Sequence, residues 1–270
     1  MPEDETQLEE KEAEERSSPS GKIVYKAILK EGEEELERQS AALFWSGLAA
    51  GLSMGFSMVA EAVLTSRLAD EPWRPLVAKF GYGAGFLIVI LGRQQLFTEN
   101  TLTPILPLLV RKPPATVANV LRLWGVVLAA NLVGALLFSL VVGLTNVFDA
   151  DTRHACADMG MKAAEPGFAS VMLRGVFAGW LIALMVWLLP FAETARVWVI
   201  ILLTYLIGIG HLSHVIAGAT EVFTAATMGQ LSWGSAVGGF ILPALIGNIV
   251  GGVVLVAMLN HAQVVSGEEV

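Results

Sequence analysis

Apolar residues run through this chain in six long blocks separated by short polar turns. The blocks are Ala42–Leu64, Phe80–Val110, Val117–Val147, Phe168–Leu189, Val197–Met228 and Ala236–Leu259. Each is long enough for a helix of about 20 residues, the length that crosses about 30 Å of hydrocarbon. Blocks two and five are interrupted. The second carries Arg93-Gln94-Gln95 and Glu99-Asn100, and the fifth carries His211, His214 and Glu221 among glycines. These interruptions predict helices broken near Gln95–Glu99 and Gly210–Gly218. Ahead of the first block, Ile23, Val24, Ala27 and Ile28 sit at helical spacing before an acidic turn. That pattern predicts an amphipathic helix over 22–40 lying at the membrane surface. Residues 261–270 read as a C-terminal tail.

The blocks repeat. Asn131-Leu-Val-Gly matches Asn248-Ile-Val-Gly, Gly47-Leu-Ala-Ala-Gly matches Gly175-Val-Phe-Ala-Gly, and Thr98-Glu99 matches Thr220-Glu221. The three matches keep their order. Three spans per half form an odd number, so the second half enters the membrane inverted. Inverted repeats with broken helices at matching positions point to a transport path at the repeat interface. The paired glycines Gly47/Gly51 and Gly175/Gly179 each share one helix face and predict close helix packing.

Composition removes most other classes. Hydrophobic residues make up 54% of the 270 and charged residues 16%, against about 25% charged in an ordinary soluble domain. The net charge of −8 is mostly local, since residues 1–40 hold 13 of the 25 acids and 6 of the 17 bases. Residues 1–21 therefore read as a disordered acidic cytoplasmic tail. No basic face with interleaved aromatics exists to bind nucleic acid. A single cysteine, Cys156, excludes an intrachain disulfide. With the N-terminus inside, the cytoplasmic side carries Lys22, Lys26, Lys30, Arg38, Arg111, Lys112, Arg122 and Arg196, eight bases against six opposite. Both termini are accordingly expected in the cytoplasm.

Ionisable groups at depth are costly unless they face water or one another. Arg93 is therefore expected to pair with Glu99 or Glu221, or else to line a path with them. A metalloenzyme using His211, His214 and Glu221 is disfavoured, because the chain has four histidines in all. No enzyme activity and no cofactor are expected. An aquaporin-like pore for neutral solutes is the alternative, but it needs Asn-Pro-Ala type loops at both breaks, and neither LFTEN nor HVIAGATE supplies one.

The segments LFTENTL (96–102) with NLVGALLF (131–138), and RGVFAGWL (174–181) with GHLSHVIAG (210–218), resemble the formate/nitrite transporter family. The resemblance covers roughly residues 22–260. It implies an all-helical, six-span, aquaporin-like inverted repeat, assembled as a homopentamer in the inner (plasma) membrane. It also implies one pore per subunit for a small monovalent anion or its weak acid. By that resemblance Leu96, Phe97 and Thr98 form the loop in span two, His214 is the central pore histidine with His211 as the lesser candidate, and Tyr82 lies at an outer constriction. Three positions depart from the family pattern. Glu99 stands where Ser or Gly is usual, and Gly218 and Gly179 stand in place of pore asparagines. Arg93 and Glu221 have no counterpart in it.

Overall fold

The computed structural model describes residues 20–111 and 114–266, so the acidic tail over 1–19, Lys112–Pro113 and residues 267–270 lie outside the described residues. Ten helices carry the description that follows. They are α1 (Gly21–Glu37), α2 (Ser40–Arg67), α3 (Arg74–Leu91, with a 3₁₀ turn at Lys79–Tyr82), α4 (Ile105–Arg111) and α5 (Pro114–Leu144). They continue with α6 (Ala150–Ala164), α7 (Phe168–Leu188), α8 (Arg196–Ile209), α9 (Val215–Thr227) and α10 (Ser235–Ser266). No strand occurs among the described residues.

α2, α5, α7 and α10 cross as single helices of 28, 31, 24 and 32 residues, taking α7 on through its terminal turn. The second and fifth spans are each made of two arms. α3 ends at Leu91 and the chain resumes helically at Glu99, while α8 ends at Ile209 and α9 starts at Val215. The breaks thus occupy 92–98 and 210–214, and Gly218 lies inside a regular helix. The last helix runs on past residue 260, through Ser266.

Glycines decide how the long helices meet. A Cβ on Gly51 would collide with the Asn131 carbonyl, and one on Gly134 with the Leu48 carbonyl. In the second half a Cβ on Gly179 would collide with the Asn248 carbonyl, and one on Gly251 with the Val176 carbonyl. The α2–α5 and α7–α10 crossings are therefore built alike, backbone on backbone. Lipid gives helices no hydrophobic reason to associate, so this close approach supplies the packing energy.

α1 buries Tyr25, Ile28, Gly32 and Leu36, one stripe at helical spacing. Its final carbonyls would be left open at the C-terminus. Arg122 of α5 closes them, donating Nη2 to Leu36 O at 2.8 Å and Nη1 to Arg38 O at 2.9 Å. Tyr25 Oη bonds His261 Nδ1 at 2.7 Å, tying α1 to the end of α10. At the other end of the molecule α6 starts on Asp149, whose Oδ1 accepts the Thr152 N–H at 3.0 Å. That bond, with the Thr152 hydroxyl and Arg67, holds the Asp149 carboxyl below the usual carboxylate range. The two ends are called the α1 side and the α6 side below. Large apolar side chains such as Trp45, Phe56, Leu121, Trp198 and Leu202 point outward, as helix faces against lipid or a neighbouring subunit do.

Candidate functional site

A helix broken at membrane depth frees N–H and C=O groups that water cannot reach. Two asparagines take them up. Asn131 of α5 accepts the Phe97 N–H at 2.8 Å through Oδ1, and its Nδ2 donates to Gln95 O at 2.9 Å and Gly47 O at 2.7 Å. Asn248 of α10 accepts the Val215 N–H at 2.8 Å and donates to Ser213 O and Gly175 O, each at 2.8 Å. Each asparagine thus ties one break to the glycine crossing of its own half. These clamps were visible in the sequence only as part of a repeat. Nothing there said that the amides bind the breaks.

The clamps also correct the alignment of the halves. Phe97 pairs with Val215 and Gln95 with Ser213, both 118 positions apart. Leu96 is therefore the counterpart of His214. Thr98-Glu99 corresponds to Ile216-Ala217, and Thr220-Glu221 lies a turn further along α9. Arg93 and His211 are counterparts too, and both have φ of +50°. A non-glycine residue in that region turns the chain sharply at a steric cost of about 1–2 kcal/mol.

The first break is cross-braced from within. Asn100 Nδ2 donates to Gln95 Oε1 at 2.9 Å, Thr101 Oγ1 donates to Thr98 O at 2.8 Å, and the Gln95 N–H reaches Ser46 Oγ at 3.1 Å. Leu96, Phe97 and Thr98 are all fully or almost fully buried. Phe97 lies edge-on to Trp124, with ring centroids 5.8 Å apart.

The two breaks meet at Thr98 and His214. Thr98 Oγ1 lies 2.7 Å from His214 Nε2. His214 is also the N-cap of α9, where its Nδ1 accepts the Ala217 N–H at 3.1 Å. A nitrogen that accepts an N–H carries no proton, so the neutral ring has its proton on Nε2 and donates it to Thr98. Phe86 of α3 packs edge-on against the imidazole at 5.0 Å.

From His214 a cavity of about 380 Å³ opens toward the α6 side. Tyr82, Gly218, Phe240, His211, Glu221 and the Glu61–Lys79 pair are among the residues that line it. A Cβ on Gly218 would run into the Phe240 ring, so the missing side chain at 218 is what seats this aromatic. Glu61 and Lys79 form an ion pair buried in the cavity wall. Neither Phe86, Phe240 nor this pair stood out from the surrounding apolar and flanking sequence.

Arg93 corrects the expected pairing. It is exposed and forms no ion pair with Glu99 or Glu221. It lies instead on the α1 side, among the charges around Glu31. Glu31 has its pKa raised, by desolvation first and by Glu35 next, while Arg93 and Arg196 act in the opposite sense. Glu99 sits on the same side, with Glu31 and Glu35 as its charged neighbours. One of its carboxylate oxygens is buried with no hydrogen-bond partner. Arg93→Ala should therefore change stability by no more than about 0.5 kcal/mol, the range of a surface substitution. Detergent thermal melts of the two proteins should superimpose, and a clear loss would mean that Arg93 holds a charge at depth.

Six spans, two broken helices related by inversion and a threonine–histidine contact between the breaks define a membrane pore protein of the aquaporin-like architecture. The sequence profile of the family described as formate/nitrite transporter matches residues 22–262, and the chain belongs to that family. The chain is 39% identical to the inner membrane protein YfdC of Escherichia coli (strain K12) over 251 residues. That match covers 93% of this chain and 81% of the relative. It is 25% identical over 233 residues to a probable formate transporter of Methanothermobacter thermautotrophicus, covering 78% and 84%. Among solved structures its fold resembles a pentameric formate channel with formate bound, at a TM-score of 0.71 and 22% identity, over 84% of this chain and 98% of that one. It also resembles an FNT family ion channel, at a TM-score of 0.79 and 18% identity, over 90% and 99%.

Proposed function

We propose that the protein is a channel or transporter for a small monovalent anion of the formate or nitrite class, which crosses its narrowest point as the weak acid. It works as a homopentamer in the inner membrane, with both termini in the cytoplasm. The observation that carries this reading is the Thr98–His214 contact of 2.7 Å, set between apolar walls at the foot of the cavity. Family membership supports the substrate class, and the pentameric formate channel of similar fold supports the assembly.

An unpaired ion entering an apolar gap would lose tens of kcal/mol of solvation in the continuum limit. Leu96 and Phe97 belong to that gap on the α1 side of His214, and Tyr82 narrows the opposite approach. Taking a proton removes the charge before the gap is reached. In the relay, an arriving anion takes a proton from His214 through the Thr98 hydroxyl, which accepts on one side and donates on the other. The ring that gives the proton carries one on each nitrogen, so Nδ1 must first release the Ala217 amide. Nδ1 takes that second proton from water, and the neighbouring anion stabilises the charged ring. After transfer the remaining proton sits on Nδ1; the departing acid or water reprotonates Nε2, and Nδ1 then returns its proton to water and accepts the Ala217 amide again. His211 lies in the cavity wall on the α6 side. Glu99 and Arg93 stand on the α1 side, where their opposite charges shape the approach.

The test is uptake by proteoliposomes of formate, nitrite, acetate and lactate, with pH varied on each face. Flux of the acids, rising as the pH on the side of addition falls, is the expected result. Equal passage of uncharged solutes such as glycerol, without pH dependence, would replace this reading with a neutral-solute pore.

A further inference from the structure

Glu221 is a carboxylate at membrane depth that the fold does not use. It is half-buried on α9 and lines the cavity. Among the described residues it has neither a hydrogen-bond nor an ion-pair partner. A buried charge kept for structure is normally paired, as Glu61 is with Lys79 on the opposite wall. Glu221 also has a direct line to the constriction. His214, Gly218 and Glu221 are spaced four and three apart, so they share one helix face, and all three line the same cavity. Seven residues of helix put the carboxylate about 10 Å above the imidazole.

Neutral His214 holds a single ring proton, already engaged with Thr98. At rest its Nδ1 is occupied by the Ala217 amide and its Nε2 faces Thr98. A solute arriving from the α6 side meets Glu221 first. We propose that Glu221 is the proton-loading group for weak-acid anions entering from that side. The proposal rests on the weak-acid reading above and adds the group that protonates the solute there. In the step, the O–H bond of the Glu221 carboxyl breaks and an O–H bond forms on the anion. Glu221 is left as carboxylate and the solute as the neutral acid. Water at the α6-side mouth returns the proton. For a solute leaving by this side the same step runs backwards.

The groups around Glu221 fit a proton-exchanging role. Glu61 of α2, whose second oxygen is buried without a partner, and Asp158 of α6 are like charges lining the same cavity. Lys79 of α3 is committed to Glu61. Lys162 of α6, Arg174 of α7 and His211 also line the cavity, so a monovalent anion meets cations as well as the acid that neutralises it.

The test uses the purified full-length protein in liposomes containing a pH-sensitive dye, with formate as the probe. Glu221→Gln keeps size and polarity but cannot give up a proton. It should slow formate-driven acidification by about tenfold or more, as removal of a positioned proton donor does. The loss should fall on solute added at the α6 side and should flatten dependence on the pH of that side. Glu221→Asp should keep part of the flux with a displaced pH profile. Unchanged flux and profile in assembled Glu221→Gln would overturn the proposal. Faster flux would too, because Glu221 would then act only as a repelling charge. If the Gln variant does not assemble, the Asp variant decides, and an unaltered profile there is negative. Wild-type vesicles no more permeable to formate, nitrite or other weak acids than empty ones would instead sink the weak-acid reading, and the proposal with it.

Discussion

His214→Asn should leave an assembled protein that has lost most of its weak-acid flux and nearly all of its pH dependence. Asparagine is among the best N-cap residues, so it can still accept the Ala217 N–H that His214 Nδ1 accepts at 3.1 Å. The start of α9 is therefore retained. The side chain is shorter, however, and loses the 2.7 Å contact with Thr98. It also has no proton to give near neutral pH. Loss of a positioned proton donor typically costs about 10²–10⁴ in rate, and a fall of about 10² in formate flux is expected here. Both directions of flux should suffer, because His214 stands where the two breaks meet. Size-exclusion of the variant gives the assembly control. A correctly assembled variant with unchanged flux and pH profile would exclude the relay and move attention to His211 or Glu99.

Asn248→Leu should give one of the largest losses of stability of any single change near the pore. Leucine is close in volume, so the effect is not one of packing. It strands three buried groups, the Val215 N–H and the carbonyls of Ser213 and Gly175. Each unsatisfied buried group costs about 1–3 kcal/mol, so the total exceeds about 3 kcal/mol. With the break no longer held, His214 should drift from Thr98, and flux should fall even in the fraction that assembles. Asn131→Leu should behave alike in the first half, where the Phe97 N–H and the carbonyls of Gln95 and Gly47 lose their partner. Detergent melting curves measure the loss. An Asn248→Leu protein melting with the wild type would show that the break is satisfied by other groups.

The Thr98–His214 site was partly legible in the sequence. Polar residues inside apolar blocks marked both breaks, because such residues are tolerated at depth only where the backbone turns or a cavity opens. The resemblance at LFT and at the second-half histidine put Thr98 and His214 in those breaks. The alignment of Thr98-Glu99 with Thr220-Glu221 failed, since a two-residue match carries no information about which backbone groups are clamped. The expected pairing of Arg93 failed for a related reason. Charge and burial cost say that a cation needs a partner or water, but Arg93, at a positive-φ turn, is exposed on the α1 side and acts there on Glu31.

Sequence alone determined the class of molecule, the number of spans and the location of the interruptions. These follow from one-dimensional quantities, the length of apolar runs against bilayer thickness and the spacing of polar residues within them. Tertiary structure decided which atoms meet. It took folding to carry Asn131 and Asn248 onto breaks more than thirty residues away. The same holds for Thr98 and the imidazole 116 residues on, and for Glu61, which was set against Lys79 while Glu221 was left unpaired. Such partners depend on helix crossings set by glycine contacts between distant segments, and no local pattern in the chain encodes that geometry.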